Sequence, residues 1–176
     1  MNAPVADDWR EALHESLKAS GIDLVAYVPD AGHQRLIELA EADPAVAAVA
    51  LTSEEEGIGL AAGAWLGGRR AVVLMQSSGV GNCVNAIASL SRACSLPLLL
   101  LVTMRGEWGE GNPWQVPMGQ AVAPVLEALG VVVLRADAAA DVLPVVEAAA
   151  RMSFAGGPPV AVLIGQRVIG AKVFAR

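Results

Sequence analysis

No apolar run in this chain reaches the roughly 20 uncharged residues that a membrane-spanning helix needs. The first residues, Met1-Asn2-Ala3-Pro4-Val5-Ala6-Asp7-Asp8, have neither a basic start nor an apolar stretch, so a secretory signal is not expected there. Basic residues are few: 12 Lys and Arg stand against 18 Asp and Glu, a formal charge of −6 that no basic run offsets. That balance disfavours nucleic acid as a partner. Only Cys83 and Cys94 carry thiols, without zinc-like spacing, and they read as reduced packing residues. Linkers, internal repeats and low-complexity tracts are missing beyond short Ala runs. One cytoplasmic domain over residues 1–176 is expected, with residues 1–7 as a flexible lead.

What the chain has in abundance is apolar surface. Hydrophobic residues make up 55% of it and charged residues 17%. A single domain of this length buries roughly 70% of its unfolded surface. The apolar excess therefore implies elements buried on more than one side, and part of it suits a subunit interface.

Helical and strand patterns alternate along the chain. Trp9, Leu13 and Leu17 recur every four residues, predicting a helix over about 8–20 that Gly21 stops. Short apolar strands are expected at 24–28, 46–51, 71–75, 96–103, 131–134 and 160–164. Helices are expected around Leu36–Ala40 and at 54–66, 82–94, 122–129 and 138–152. Gly67-Gly68 closes the second of these. Pro124 and Pro144 either start the last two helices or kink them. A loop rich in Gly, Trp and Pro fills 104–117. Continuous apolar strands separated by helices predict a doubly wound α/β domain, a parallel sheet of about six strands covered on both faces.

Such sheets bind ligands beyond the carboxyl ends of their strands. Four loops share that edge: 29–34, 52–54, 76–82 and 103–117. Glu54, Glu55 and Glu56 open the helix that follows the second of these loops, with Thr52 or Ser53 as its cap. Each acid complements the helix dipole. The three carboxylates point in directions about 100° apart, so one can face the ligand edge while the others face solvent. Gln76-Ser77-Ser78-Gly79-Val80-Gly81-Asn82 follows a buried strand, a place where backbone N–H groups meet phosphate. It lacks the third glycine of a dinucleotide loop and the Lys-Ser/Thr of a Walker loop. It suits the approach of a flat ring better than a phosphate.

Glu-x-x-Gly-Ile-x-Leu-Ala-Ala-Gly, the following strand and Gln-Ser-Ser-Gly-Val-Gly-Asn-Cys-Val-Asn-Ala together resemble the pyrimidine-binding domain of thiamine-diphosphate-dependent decarboxylases. The likeness runs from about Asp23 to Val168 and is strongest to the sulfopyruvate and phosphonopyruvate decarboxylases. The segment from Gly106 to Gln115 is similar to the alpha subunits of the former. Matching Ala61-Ala62-Gly63 to the family's motif puts the family's glutamate on Glu54; a register one residue later would select Glu55. The resemblance implies that this carboxylate hydrogen-bonds N1′ of the cofactor's aminopyrimidine, and that the cofactor is the electron sink when CO2 leaves. Gln76, Ser78, Gly79 and Asn82 are then the other residues expected to face the pyrimidine.

The family holds the cofactor's diphosphate through Mg2+, in a second domain marked by Gly-Asp-Gly. That tripeptide is missing here, so the resemblance implies a beta subunit that carries the diphosphate-binding domain and the metal, and a hetero-oligomer. No metal site of the chain's own is expected. The cations nearest the predicted edge are His33, Arg35 and Arg105, candidate donors to the acid groups of a small 2-oxo acid substrate. His33 also reads as a solvated loop residue, and Arg35 as a residue on the solvent face of its helix. Trp108, Trp114 and Pro117 are expected at the interface with the partner.

Overall fold

Six strands, β1 (Ile22–Tyr27), β2 (Ala47–Ala50), β3 (Arg70–Gln76), β4 (Leu99–Thr103), β5 (Val132–Ala136) and β6 (Val160–Ile164), form one parallel sheet in the order β2-β1-β3-β4-β6-β5. The computed structural model describes residues 8–171; residues 1–7, expected to be flexible, lie outside that range. The unbroken apolar runs of the strands divide between two faces, because successive side chains of a strand point to opposite sides. Leu24, Ala26, Val73, Met75, Leu100 and Val102 pack to one side, while Val25, Tyr27, Val72, Leu74, Leu99 and Leu101 pack to the other.

Helices α3 (Glu54–Leu66), α4 (Val80–Ala86) and α5 (Val116–Ala128) cover the first face through Ile58, Ala61, Cys83, Val122 and Leu126. Helices α1 (Trp9–Ala19), α2 (Gln34–Ala42) and α6 (Ala139–Phe154) cover the second through Leu13, Leu17, Leu36, Val142 and Val146. A last helix, α7 (Gln166–Ile169), follows β6 and is too short to leave an apolar pattern in the sequence. Among the described residues, no helix is long and apolar enough to cross a membrane.

Three local departures from the predicted boundaries have physical causes. The chain leaves β3 through a 3₁₀ turn, Ser77–Gly79, so α4 begins at Val80 and not at Asn82. Beyond Ala86 the same helix widens into a π-helical segment, Ile87–Arg92, a geometry that apolar spacing does not signal. Helix α5 begins at Val116, because Pro117 sits at the helix start where its missing N–H costs nothing. Pro124 and Pro144 lie inside α5 and α6. Cys83 is a buried packing residue, whereas Cys94 is exposed.

At the switch point of the sheet, β1 and β3 are neighbours while their connections leave in different directions, to α2 and to α4. The loops after β1, β3 and β4 therefore gather at one stretch of the carboxyl edge, where an open α/β sheet offers its crevice.

Candidate active site

The first turn of α3 divides its three acids among three environments. Ser53 caps the helix with extended backbone but contributes no side-chain bond. Instead the Thr52 N–H donates to Oε2 of Glu56 at 2.8 Å, so Glu56 is spent closing its own helix start. Glu55 is exposed. Glu54 is half-buried and turns toward the 3₁₀ turn after β3, where the Asn82 amide donates to its Oε2 at 2.8 Å.

Gly79 explains how that carboxylate fits. A Cβ on Gly79 would overlap Cγ, Cδ and Oε1 of Glu54. The missing side chain is the space the glutamate fills, and the helix start places partial positive charge beside the carboxylate. Gly57 gives α3 a similar close fit to the sheet, since a Cβ there would strike Leu51 and Val73 and lift the helix away.

Gln76 and Ser78 complete one wall. The Gln76 amide nitrogen donates to Ser78 Oγ at 2.7 Å and lies 3.4 Å from the Gln115 side-chain oxygen of the following loop. Thus Glu54, Gln76, Ser78, Gly79 and Asn82 come together around one turn. Ser77, which no sequence signal singles out, is buried at its centre and accepts from the Arg105 N–H at 3.1 Å.

The three candidate cations do not share that surface. His33, placed in a solvent-facing loop or at the ligand edge by its sequence, is fully buried. Its Nε2 lies 3.1 Å from the Leu101 carbonyl of β4, its Nδ1 has no partner among the described residues, and burial lowers its pKa. Arg35 is exposed in the first turn of α2, paired with Glu11 at 2.7 Å and with Glu38 at 3.6 Å. Arg105 follows β4, in the loop beyond its carboxyl end. Glu110 clamps it through two parallel bonds, from Nε at 2.7 Å and from Nη2 at 2.6 Å.

Glu110 carries no signal in the sequence, yet the loop folds around it. Besides Arg105 it accepts from the Gly106 and Asn112 N–H groups and from the Gln166 amide. The Arg105 guanidinium, aided by these N–H donors, lowers its pKa to about 2. Gly106 takes a positive φ of 78°, and α5 packs so closely that a Cβ there would overlap the Gln115 backbone. On the outside of this loop Trp108 is half-exposed, and Trp114 is 72% exposed.

Among the described residues, one cluster of metal-ligating type occurs: His14, Glu15 and Asp43. It involves α1 and the residue that ends α2, and the Lys18 ammonium already lies 2.7 Å from Asp43. None of its members belongs to the loops around Glu54.

Residues 8–121 match the family "Thiamine pyrophosphate enzyme, N-terminal TPP binding domain". The chain is 43% identical over 122 residues to the sulfopyruvate decarboxylase subunit alpha of Methanothermobacter thermautotrophicus, covering 69% of this chain and 74% of that one. It is 34% identical to the corresponding subunit of Methanococcus maripaludis, over 88% of this chain and 92% of the other. Against a sulfopyruvate decarboxylase of Methanosarcina acetivorans, 38% identity covers 68% of this chain but only 30% of that longer one. Among solved structures, a 2-oxoglutarate:ferredoxin oxidoreductase from Magnetococcus marinus superposes with a TM-score of 0.71 over 92% of this chain and 29% of its own, at 13% identity. That likeness concerns the fold alone.

Proposed function

The chain belongs to the thiamine pyrophosphate enzymes, as their N-terminal TPP binding domain, and from that premise we propose that it is the alpha subunit of a decarboxylase that converts 3-sulfopyruvate to sulfoacetaldehyde and CO2. The relatives named as alpha subunits of sulfopyruvate decarboxylase support this reading over most of the chain's length. The observation that carries it is the seat of Glu54: a half-buried carboxylate, one oxygen held by Asn82, fitted into the space that Gly79 leaves.

That seat suits thiamine diphosphate. A flat aminopyrimidine needs a carboxylate for its ring nitrogen and close backbone; Glu54 offers the first and the turn at Ser77–Gly79 the second. When bound, the cofactor supplies the carbon nucleophile and the electron sink that let the 2-oxo acid lose CO2. With the cofactor bound, Glu54 would hold a proton toward N1′ of the pyrimidine through Oε1, the oxygen to which Asn82 does not bond. Asn82 fixes the carboxylate's orientation. Gln76 and Ser78 line the wall beside it.

The diphosphate and Mg2+ fall to a second subunit, a beta chain carrying the diphosphate-binding domain. Two facts support that assignment: the matched relatives of similar length are named as alpha subunits, and the matched Methanosarcina decarboxylase continues far beyond the segment shared with this chain. The exposed Trp114 and half-exposed Trp108 suit the contact with that subunit. Closing such a contact over the edge excludes water from the reacting centre.

Co-purifying the chain with a diphosphate-domain subunit and assaying a panel of 2-oxo acids tests the function. Turnover of 3-sulfopyruvate well above pyruvate and 3-phosphonopyruvate supports it. Decarboxylation of none of them by a pair with bound cofactor would refute it.

A further inference from the structure

Beside the Glu54 turn lies a small cleft of about 120 Å³, lined by Asp30, Gly32, Arg105, Ile169, Gly170 and Ala171. At about 30 Å³ per water molecule it has room for one tetrahedral acid group. We propose that this cleft seats the distal acid group of the substrate, with Arg105 as the side chain that reads it and Asp30 as the side chain that limits it to a single negative charge. The proposal rests on the decarboxylase reading above and names the residues that select its substrate.

The position is right for that task. Arg105 reaches the Glu54 turn through its own backbone, whose N–H donates to Ser77 Oγ at 3.1 Å. Ser77 opens the 3₁₀ turn whose Gly79 holds Glu54. Thr103, just before Met104 and Arg105, pairs with Gln76 in the sheet, and a Cβ on Gly32 would overlap its side chain. A chain of contacts therefore runs from Asp30 and Gly32 to Thr103, along the backbone to Arg105, from Arg105 to Ser77, and through Gly79 to Glu54.

The chemistry of Arg105 is equally specific. Its side chain is 10% exposed, and Glu110 fixes the Nε and Nη2 edge in a planar two-bond clamp. Nη1 has no partner among the described residues. A guanidinium so held keeps a pre-oriented pair of donors for a ligand oxyanion, with little side-chain freedom left to lose. A free surface lysine would not offer this.

Asp30 supplies the discrimination. Its Oδ2 accepts from the Gly32 N–H at 3.1 Å and from the Thr103 hydroxyl, which fixes the carboxylate on the wall of the cleft that Arg105 also lines. Among the described residues that line the cleft, Arg105 is the one cation and Asp30 the one carboxylate, and Glu110 is already paired with Arg105. Donor geometry, not net charge, then holds the ligand, and a second negative charge on it is repelled. A sulfonate stays singly charged near neutral pH, whereas a phosphonate takes up a second charge there. The cleft thus selects sulfonate over phosphonate.

The test uses the cofactor-loaded pair of subunits and three inert probes as competitive inhibitors: 3-sulfopropanoate, 3-phosphonopropanoate and propanoate. Arg105→Met should weaken 3-sulfopropanoate by about 10- to 100-fold, the span of one charge-assisted hydrogen bond, while propanoate shifts less than about twofold. Arg105→Lys, which keeps the charge and loses the clamp, should fall between. Asp30→Asn should bring 3-phosphonopropanoate about tenfold closer to 3-sulfopropanoate. All three variants should hold thiamine diphosphate as the parent pair does. Equal loss of all probes, no loss, or loss of cofactor affinity in both Arg105 variants would overturn the proposal. Failure of the parent pair to bind cofactor or to decarboxylate any 2-oxo acid would overturn the function beneath it, and the proposal with it.

Discussion

Asn82 holds Glu54 from across the β3–α4 connection: its side-chain nitrogen lies 2.8 Å from Oε2, 28 residues away in sequence. The bond ties the start of α3 to the start of α4, the two helices that meet beside the switch point of the sheet. It leaves one carboxylate oxygen for a ligand and separates Glu54 from its two neighbours, one exposed and one closing the helix start.

Glu54→Gln in the assembled enzyme should lower kcat by about 10²- to 10⁴-fold, the range of a lost acid–base role, with the fold retained. Glu55→Gln should leave kcat within about threefold of the parent, since nothing in the site depends on it. Glu56→Gln should cost a few tenths of a kcal/mol of stability and little activity. Steady-state kinetics alongside thermal melts check all three. A crippled Glu55→Gln with an active Glu54→Gln would move the acid one residue along.

Gly79→Ala separates the seat of the carboxylate from the carboxylate itself. The added methyl would overlap Glu54, whose flexible side chain can swing away, so folding should survive. Displacing the group by about 1 Å should cost on the order of 10²-fold in kcat. A melting temperature near the parent's, with activity retained, would mean that Gly79 has no role in placing Glu54.

Helix α3 is readable to the residue because Ser53 before it and Gly67-Gly68 after it are local punctuation, and Gly68 takes a φ of 80°. The parallel sheet is equally legible in its unbroken apolar strands. The features that escape a reading of the sequence depend on distant partners. Polar neighbours give His33 the look of a loop residue, but the Leu101 carbonyl that receives its ring is 68 positions away. Glu110 looks like one acid in a Gly-rich loop, and its role emerges only when Arg105 and Gln166 converge on it. The start of α5 is hidden because Pro117 reads as a breaker although it occupies a position at the helix start that tolerates it.

His33 makes stability depend on pH near neutrality. Burial lowers its folded-state pKa below the ordinary 6.5, so the unfolded chain binds the proton more readily. Stability is therefore full above about pH 6.5 and falls as the pH drops below it, by up to about 1.4 kcal/mol per pH unit for one group. Chemical denaturation between pH 7.5 and 5.5 should show that decline, and His33→Asn should flatten it. A slope unchanged in the variant would assign the effect to other groups.

The clamp on Arg105 has its own pH window. Glu110, lowered from 4.5 to about 2, contributes stability that is present above its unfolded pKa and is lost as pH falls from about 4.5 toward 2. Amide exchange at Gly106 and Asn112, whose N–H groups bond Glu110, should accelerate across that window beyond the intrinsic trend. In Glu110→Gln the extra acceleration should vanish.

Trp114→Arg should weaken assembly with the second subunit and activity together, leaving the isolated fold intact, since the ring is 72% exposed. Sedimentation of the mixed subunits reads assembly directly. Full assembly by this variant would place the interface elsewhere.

The central claim is that Glu54 belongs to half of a thiamine diphosphate site that a second subunit completes. Isothermal calorimetry with thiamine diphosphate and Mg2+ on the chain alone, on the diphosphate-domain subunit alone and on their mixture tests it most directly. The account predicts tight binding by the mixture, at least about tenfold tighter than by either subunit alone, and weakened in the Glu54→Gln mixture. Equally tight binding by the isolated chain, or no gain on mixing, would contradict it.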